Sequence, residues 1–134
     1  MKSPGTIEAK FKRSKTKAEL TKLWSEIDSY TKDIILKKIR LGLREVPILY
    51  FYSNPLLGWV LTDKRLLILG NDETTQFSLN EFEKVELQKL FDGETNKMEC
   101  SSIQLFTKFE CVDLSVENGT WPIIFSLFQF IISK

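Results

Sequence analysis

The chain has no histidine in its 134 residues and only two cysteines, Cys100 and Cys111. Lack of histidine removes the side chain that most often serves as general base and metal ligand near neutral pH. Ser-His and Cys-His catalytic pairs are thereby excluded, and a structural zinc site has no usual donor set. The six glycines are scattered, so no phosphate-cradling loop is present. A paired-carboxylate hydrolase is the remaining catalytic option. The acids Asp63, Asp72, Glu73 and Asp92 fall in expected turns, where turn chemistry alone accounts for a carboxylate. No catalytic residue, cofactor or metal is expected. No apolar run reaches the ~20 residues of a membrane-spanning helix, the longest being Trp121 to Ile132. The first residues include lysines but no apolar core of a secretory signal, which makes cytoplasmic residence the expectation.

The net charge is small, at +1, but the charges are unevenly distributed. Residues 1–44 carry twelve Lys/Arg against five Asp/Glu, and residues 45–134 carry seven against thirteen. A basic front half attracts nucleic acid or an anionic membrane. It equally suits a solvated helix face and tail beside an acidic body.

What the chain does have is an apolar hairpin, Leu57–Thr62 and Arg65–Leu69, around the polar pair Asp63-Lys64. In that register Leu61 opposes Leu66 and Trp59 opposes Ile68, while Val60 and Leu67 lie on the other face. Both faces are apolar, so both need a cover. Further strands are predicted over 46–53, 74–79, 83–90, 100–106 and 109–116, seven in all. With Thr107-Lys108 as the last turn, Ile103 and Leu105 share a face with Val112, Leu114 and Val116. Cys111 then opposes Gln104 and Cys100 opposes Ser115, too far apart for a disulfide.

Two helices flank the strands. Thr16-Lys17-Ala18-Glu19 reads as a capping box opening a helix over 16–41, whose stripe places Leu23, Trp24, Ile27 and Ile34 in the core. Asp28–Lys32 and Asp33–Lys37 read as i,i+4 pairs on its outer face. The second helix follows Thr120 as N-cap and is apolar nearly all round. Its Ile124, Leu127, Phe128 and Ile131 recur as a buried stripe. Ile123, Phe125 and Ile132 are left as a candidate partner surface, with a homodimer the simplest outcome. Residues 1–15 read as a basic, partly disordered tail, and residues 16–134 as one domain. The basic stretch offers Lys10, Phe11, Lys12, Arg13, Lys15 and Lys17 as candidate contacts to anionic lipid, with Phe11 as a shallow anchor. Sequence-specific nucleic-acid recognition is not expected. The aromatic group Tyr50, Phe51, Tyr52, Trp59 and Trp24 reads as core and helix–sheet packing.

The segments Ile48-Leu49-Tyr50-Phe51, Trp59-Val60-Leu61-Thr62-Asp63-Lys64-Arg65-Leu66-Leu67-Ile68 and Phe77-Ser78-Leu79-Asn80-Glu81-Phe82-Glu83-Lys84-Val85 resemble the bacterial pleckstrin-homology-like (PH-like) and GRAM-like families. The resemblance spans residues 45–133. It implies an α+β fold: a seven-stranded antiparallel barrel of nearly orthogonal sheets, capped by the C-terminal helix, to which this chain adds an N-terminal helix. It implies binding of lipid headgroups or protein partners rather than catalysis. Phosphoinositide-binding relatives carry Lys/Arg in the first hairpin loop, whereas Ser53–Gly58 here has none. The resulting expectation is a non-enzymatic binding or adaptor module for a protein partner. Alternatives are peripheral binding to anionic membrane through the basic segment, weak and indifferent to headgroup isomer, and a small inhibitor or immunity-type protein.

Overall fold

The apolar hairpin forms as the sequence dictates, and its neighbours build outward from it. The computed structural model describes residues 3–14, 18–54, 57–70, 73–87, 102–117 and 119–133. Helix α1 spans Pro4–Arg13, α2 Ser29–Leu36 and α3 Trp121–Ile132. Strands β1 (Thr21–Leu23), β2 (Pro47–Asn54), β3 (Leu57–Thr62), β4 (Arg65–Leu69) and β5 (Thr74–Ser78) form one antiparallel sheet in chain order. Strands β6 (Lys84–Leu87), β7 (Ser102–Phe106) and β8 (Cys111–Ser115) form a second. The fold is α+β, and among the described residues no strand pairing joins the two sheets into a closed barrel.

The register Leu61↔Leu66, Val60↔Leu67 and Trp59↔Ile68 is the one the Asp63-Lys64 turn demands. One face of the sheet gives Leu49, Phe51, Trp59, Leu61 and Leu66 to a core shared with Ile103, Leu105, Val112 and Leu114 of the second sheet. Helix α3 fills the same core with Ile124, Leu127, Phe128 and Ile131. The other face gives Tyr50, Val60, Leu67 and Leu69 to a smaller core, closed by Ile35 of α2 and by Ile39, with Trp24 and Ile27 half-buried beside them. Both faces of the hairpin therefore acquire the cover their composition requires. Gly58 sits where a Cβ would lie 2.7 Å from the Phe51 carbonyl oxygen, so β2 and β3 approach closely only with glycine there.

The N-terminal third departs most from expectation. Residues 4–13 are helical rather than a tail. Ser3 caps α1 by accepting the Thr6 amide (3.3 Å), and Pro4 opens the first turn, where its missing N–H costs nothing. Lys10, Lys12 and Arg13 stand in the last turn, favourable to the helix dipole. Ile7 and Phe11, four apart, are buried in the main core.

A single helix over 16–41 does not form. Thr21–Leu23 pairs with β2 instead, and Trp24–Glu26 makes a 3₁₀ turn. Helix α2 starts only at Ser29. Asp28, expected to pair with Lys32, caps it by accepting the Thr31 amide (2.9 Å). A short acid gains more at an N-cap than in a helix interior, so Asp28 divides the segment. Leu23 is buried, but Trp24, Ile27 and Ile34 are only half-buried. Trp24 meets Tyr50 edge-on at 6.1 Å. Trp24→Ala is accordingly expected to cost about 1–2 kcal/mol rather than the larger penalty of a fully buried indole. Urea titration followed by circular dichroism measures it, and a loss above about 3 kcal/mol would place Trp24 in a closed core.

The β7–β8 register is Phe106↔Cys111 and Ile103↔Leu114, two residues from the expected one. A two-residue shift preserves which side chains face the core, so the expected face survives. The turn lengthens to Thr107–Glu110, held by Thr107 accepting the Phe109 and Glu110 amides. Phe109, expected in a strand, stands at that turn and is 95% exposed. Cys111 is a free, exposed thiol. Cys100, Lys15, Lys17, the Pro55 break, the 71–72 turn and the 91–96 loop lie outside the described residues.

Candidate functional site

Helix α1 lies against α3, and the seam between them holds a concavity. It encloses about 390 Å³. Phe11, Pro122, Ile123 and Leu127 supply its apolar lining, with Lys10, Arg13, Ser14 and Ser126 also bordering it. The geometry follows from the two helices' faces. On α3, Ile123 and Phe130 flank one side of the buried stripe, while Phe125 and Ile132 flank the other. Helix α1 covers the first flank. The Lys10 ammonium lies 5.2 Å from the centre of the Phe130 ring, within cation–π range.

This arrangement brings together residues that the sequence placed in separate features. Lys10, Phe11 and Arg13 of the basic stretch meet Ile123 of the apolar helix in one groove. Lys12 turns away and pairs with Glu8 along α1 at 3.4 Å. Phe11 is only 7% exposed, so it packs inward and is not displayed as an insertion anchor. Ile123, Phe125 and Ile132 do not form one patch. All three are half-buried against the main core, Phe125 edge-on to Trp121 at 6.4 Å and Ile132 near Lys84 and Val85.

Electrostatic chemistry is concentrated elsewhere, in a knot that sequence reasoning missed. The buried Glu45 carboxylate accepts from the Arg65 guanidinium (2.8 and 2.5 Å), the Thr62 hydroxyl (2.7 Å) and the Gly42 amide (2.7 Å). The Arg65 hydrogen bonds outweigh the cost of burial and hold the Glu45 carboxyl at about 2, far below its ordinary 4.5. A second carboxylate, Glu117, accepts from the Glu19 and Leu20 amides (2.8 Å each) and the Thr21 hydroxyl (2.9 Å), fastening β1 to the end of β8. These acids are occupied by structural bonds. Partial desolvation, with the neighbouring Asp113 and Glu86 carboxylates, raises the Cys111 thiol above its usual value, which disfavours the nucleophilic thiolate. Among the described residues no group of three or more Cys, Asp or Glu could hold a metal ion. Among the described residues no helix is long and apolar enough to cross a membrane.

A single sequence signal could have located the groove. Ser3-Pro4 followed by Ile7 and Phe11 is a capped, one-faced helix start, and the wide apolar girth of α3 calls for a second helix to cover it. Compared with protein-family models, curated proteins and solved structures, the chain matches none.

Proposed function

We propose that this chain is a non-enzymatic PH-like binding module whose α1–α3 groove receives a segment of a protein partner. The observation that carries the reading is the groove itself, where two cations, Lys10 and Arg13, border an apolar lining of Phe11, Ile123 and Leu127. Such a site favours a partner segment with an apolar anchor beside an acidic side chain. The anchor gains burial and the acid gains a cation at the rim. The carboxylates of Glu45 and Glu117 hold the fold through Arg65 and the segment leading into β1, and Asp63 accepts the Val46 amide.

A second reading is peripheral attachment to anionic membrane through the last turn of α1. Lys10, Lys12 and Arg13 favour it, but burial of Phe11 leaves it without an apolar anchor. Affinity capture from native lysate, comparing the wild type with an Arg13→Glu/Ile123→Arg variant, tests the first reading. A protein retained by the wild type and lost by the variant is expected. Identical captured sets from two equally stable proteins would refute it.

A further inference from the structure

The link between α2 and β2 builds a feature far in sequence from the α1–α3 groove and sharing none of its residues. Residues 40–46 are clamped to the β3–β4 turn. The Arg65 guanidinium donates to the Arg40 carbonyl (2.7 Å) as well as to Glu45. The Val46 amide donates to the Asp63 carboxylate, and the Asp63 amide donates to the Val46 carbonyl, both at 2.9 Å. The Glu45 amide closes a turn onto the Gly42 carbonyl (3.1 Å). Within that turn Arg44 takes φ +66°, a left-handed conformation that glycine or asparagine would adopt more easily.

These bonds sort the local charges by direction. The two acids, Glu45 and Asp63, are used to hold the loop. The cations Arg40, Arg44 and Lys64 are exposed, and among the described residues none of the three forms an ion pair. Between them Leu43 is 89% exposed and Val46 45% exposed. The result is a tethered loop tip whose exposed Leu43 is flanked in sequence by Arg40 and Arg44 and held beside the turn that carries Lys64.

We propose that this tip is a contact site for an anionic bilayer. Leu43 enters the headgroup region while Arg40, Arg44 and Lys64 approach lipid phosphates and carboxylates. Charge complementarity selects an anionic surface, since the cations Arg40, Arg44, Lys64 and Arg65 outnumber the acids Glu45 and Asp63 and, among the described residues, only Arg65 of these cations is paired. A single projecting leucine needs no matching pocket in a fluid interface, whereas on a protein it would need one. Nucleic acid would gain little from the tip, because base stacking requires an aromatic face and Leu43 and Val46 offer none. The site differs from attachment through α1, and it lies at the end of the hairpin away from the uncharged Ser53–Gly58 loop.

Co-sedimentation of the full chain with phosphatidylcholine vesicles containing phosphatidylserine is the test. Binding to these vesicles, but not to pure phosphatidylcholine, is expected, and it should weaken as salt screens the charges. Each basic residue near an anionic surface is worth about a factor of five. Arg40→Glu/Arg44→Glu/Lys64→Glu should therefore bind about a hundredfold more weakly or worse, while Lys22→Glu/Lys108→Glu, at two exposed lysines outside the tip, keeps most of the binding. If the triple variant loses its fold, Leu43→Ser serves instead. It keeps every charge and the turn, and about a tenfold loss is expected from the missing leucine. No binding by the wild type, binding untouched by the tip variants, or equal loss on substitution of Lys22 and Lys108 would overturn the proposal. So would binding of a single-stranded oligonucleotide with none to the vesicles.

Discussion

Trp59→Ala is expected to be the most damaging single substitution, at about 3–5 kcal/mol. Trp59 is 1% exposed at the centre of the main core. Its ring packs beside Phe51 at 6.2 Å. Its indole N–H crosses from the first sheet to the second and donates to the Ser115 carbonyl oxygen at 2.8 Å. Alanine would remove the apolar bulk and also leave that acceptor without its donor. Trp59→Phe separates the two effects, because it keeps much of the volume and deletes the donor. An unpaired acceptor costs about 1–3 kcal/mol when fully buried and less at the part-buried Ser115 carbonyl, so the phenylalanine variant should fall between alanine and wild type. Urea midpoints at constant slope give both values. A Trp59→Ala loss below about 1 kcal/mol would mean the two sheets are not joined there.

The second large effect belongs to Glu45. Its removal leaves Arg65 partly buried without its anion and strips the Gly42 amide and Thr62 hydroxyl of their acceptor. Breaking a buried pair from one side typically costs about 3–5 kcal/mol. The Arg65 side chain is 25% exposed, and solvent reaching it should bring the loss for Glu45→Ala to about 3 kcal/mol. The same group governs acid sensitivity. Its carboxyl is held at about 2 when folded against an ordinary 4.5. The folded protein thus binds fewer protons at this site than the unfolded chain. The stabilisation is complete above pH 4.5 and is lost as pH falls toward 2. Wild type should lose about 2–3 kcal/mol across that window, and Glu45→Ala should show a correspondingly flatter acid limb. Parallel acid limbs for the two proteins would contradict the assignment.

The parts of the fold legible in the sequence are those with strong local periodicity. The Asp63-Lys64 hairpin and the buried stripe of α3 required only alternation and three–four spacing. The β7–β8 pairing kept its core face because a slip of two residues is silent in a period of two. What the sequence hid were choices made by distant partners. Thr21–Leu23 becomes a strand because β2 offers an edge and Glu117, 96 to 98 residues away, accepts the Glu19 and Leu20 amides just ahead of it and the Thr21 hydroxyl. Apolar spacing over 16–41 suits a helix, and nothing local marks that competition except Asp28. The basic run 10–17 obscured the Ile7–Phe11 pair, so a docked helix read as a tail. The groove was invisible for that reason: each of its walls was noticed, but their juxtaposition depends on α1 existing.

The most direct test of partner binding at the α1–α3 groove is site-specific photo-crosslinking in native cells. A photoreactive side chain replaces Ser126, inside the groove, or Lys22, exposed on β1, as a control. A discrete protein adduct at 126 that is absent at 22, and lost when Arg13→Glu is added, is the predicted result. No adduct at 126, or the same adducts at both positions, would contradict it.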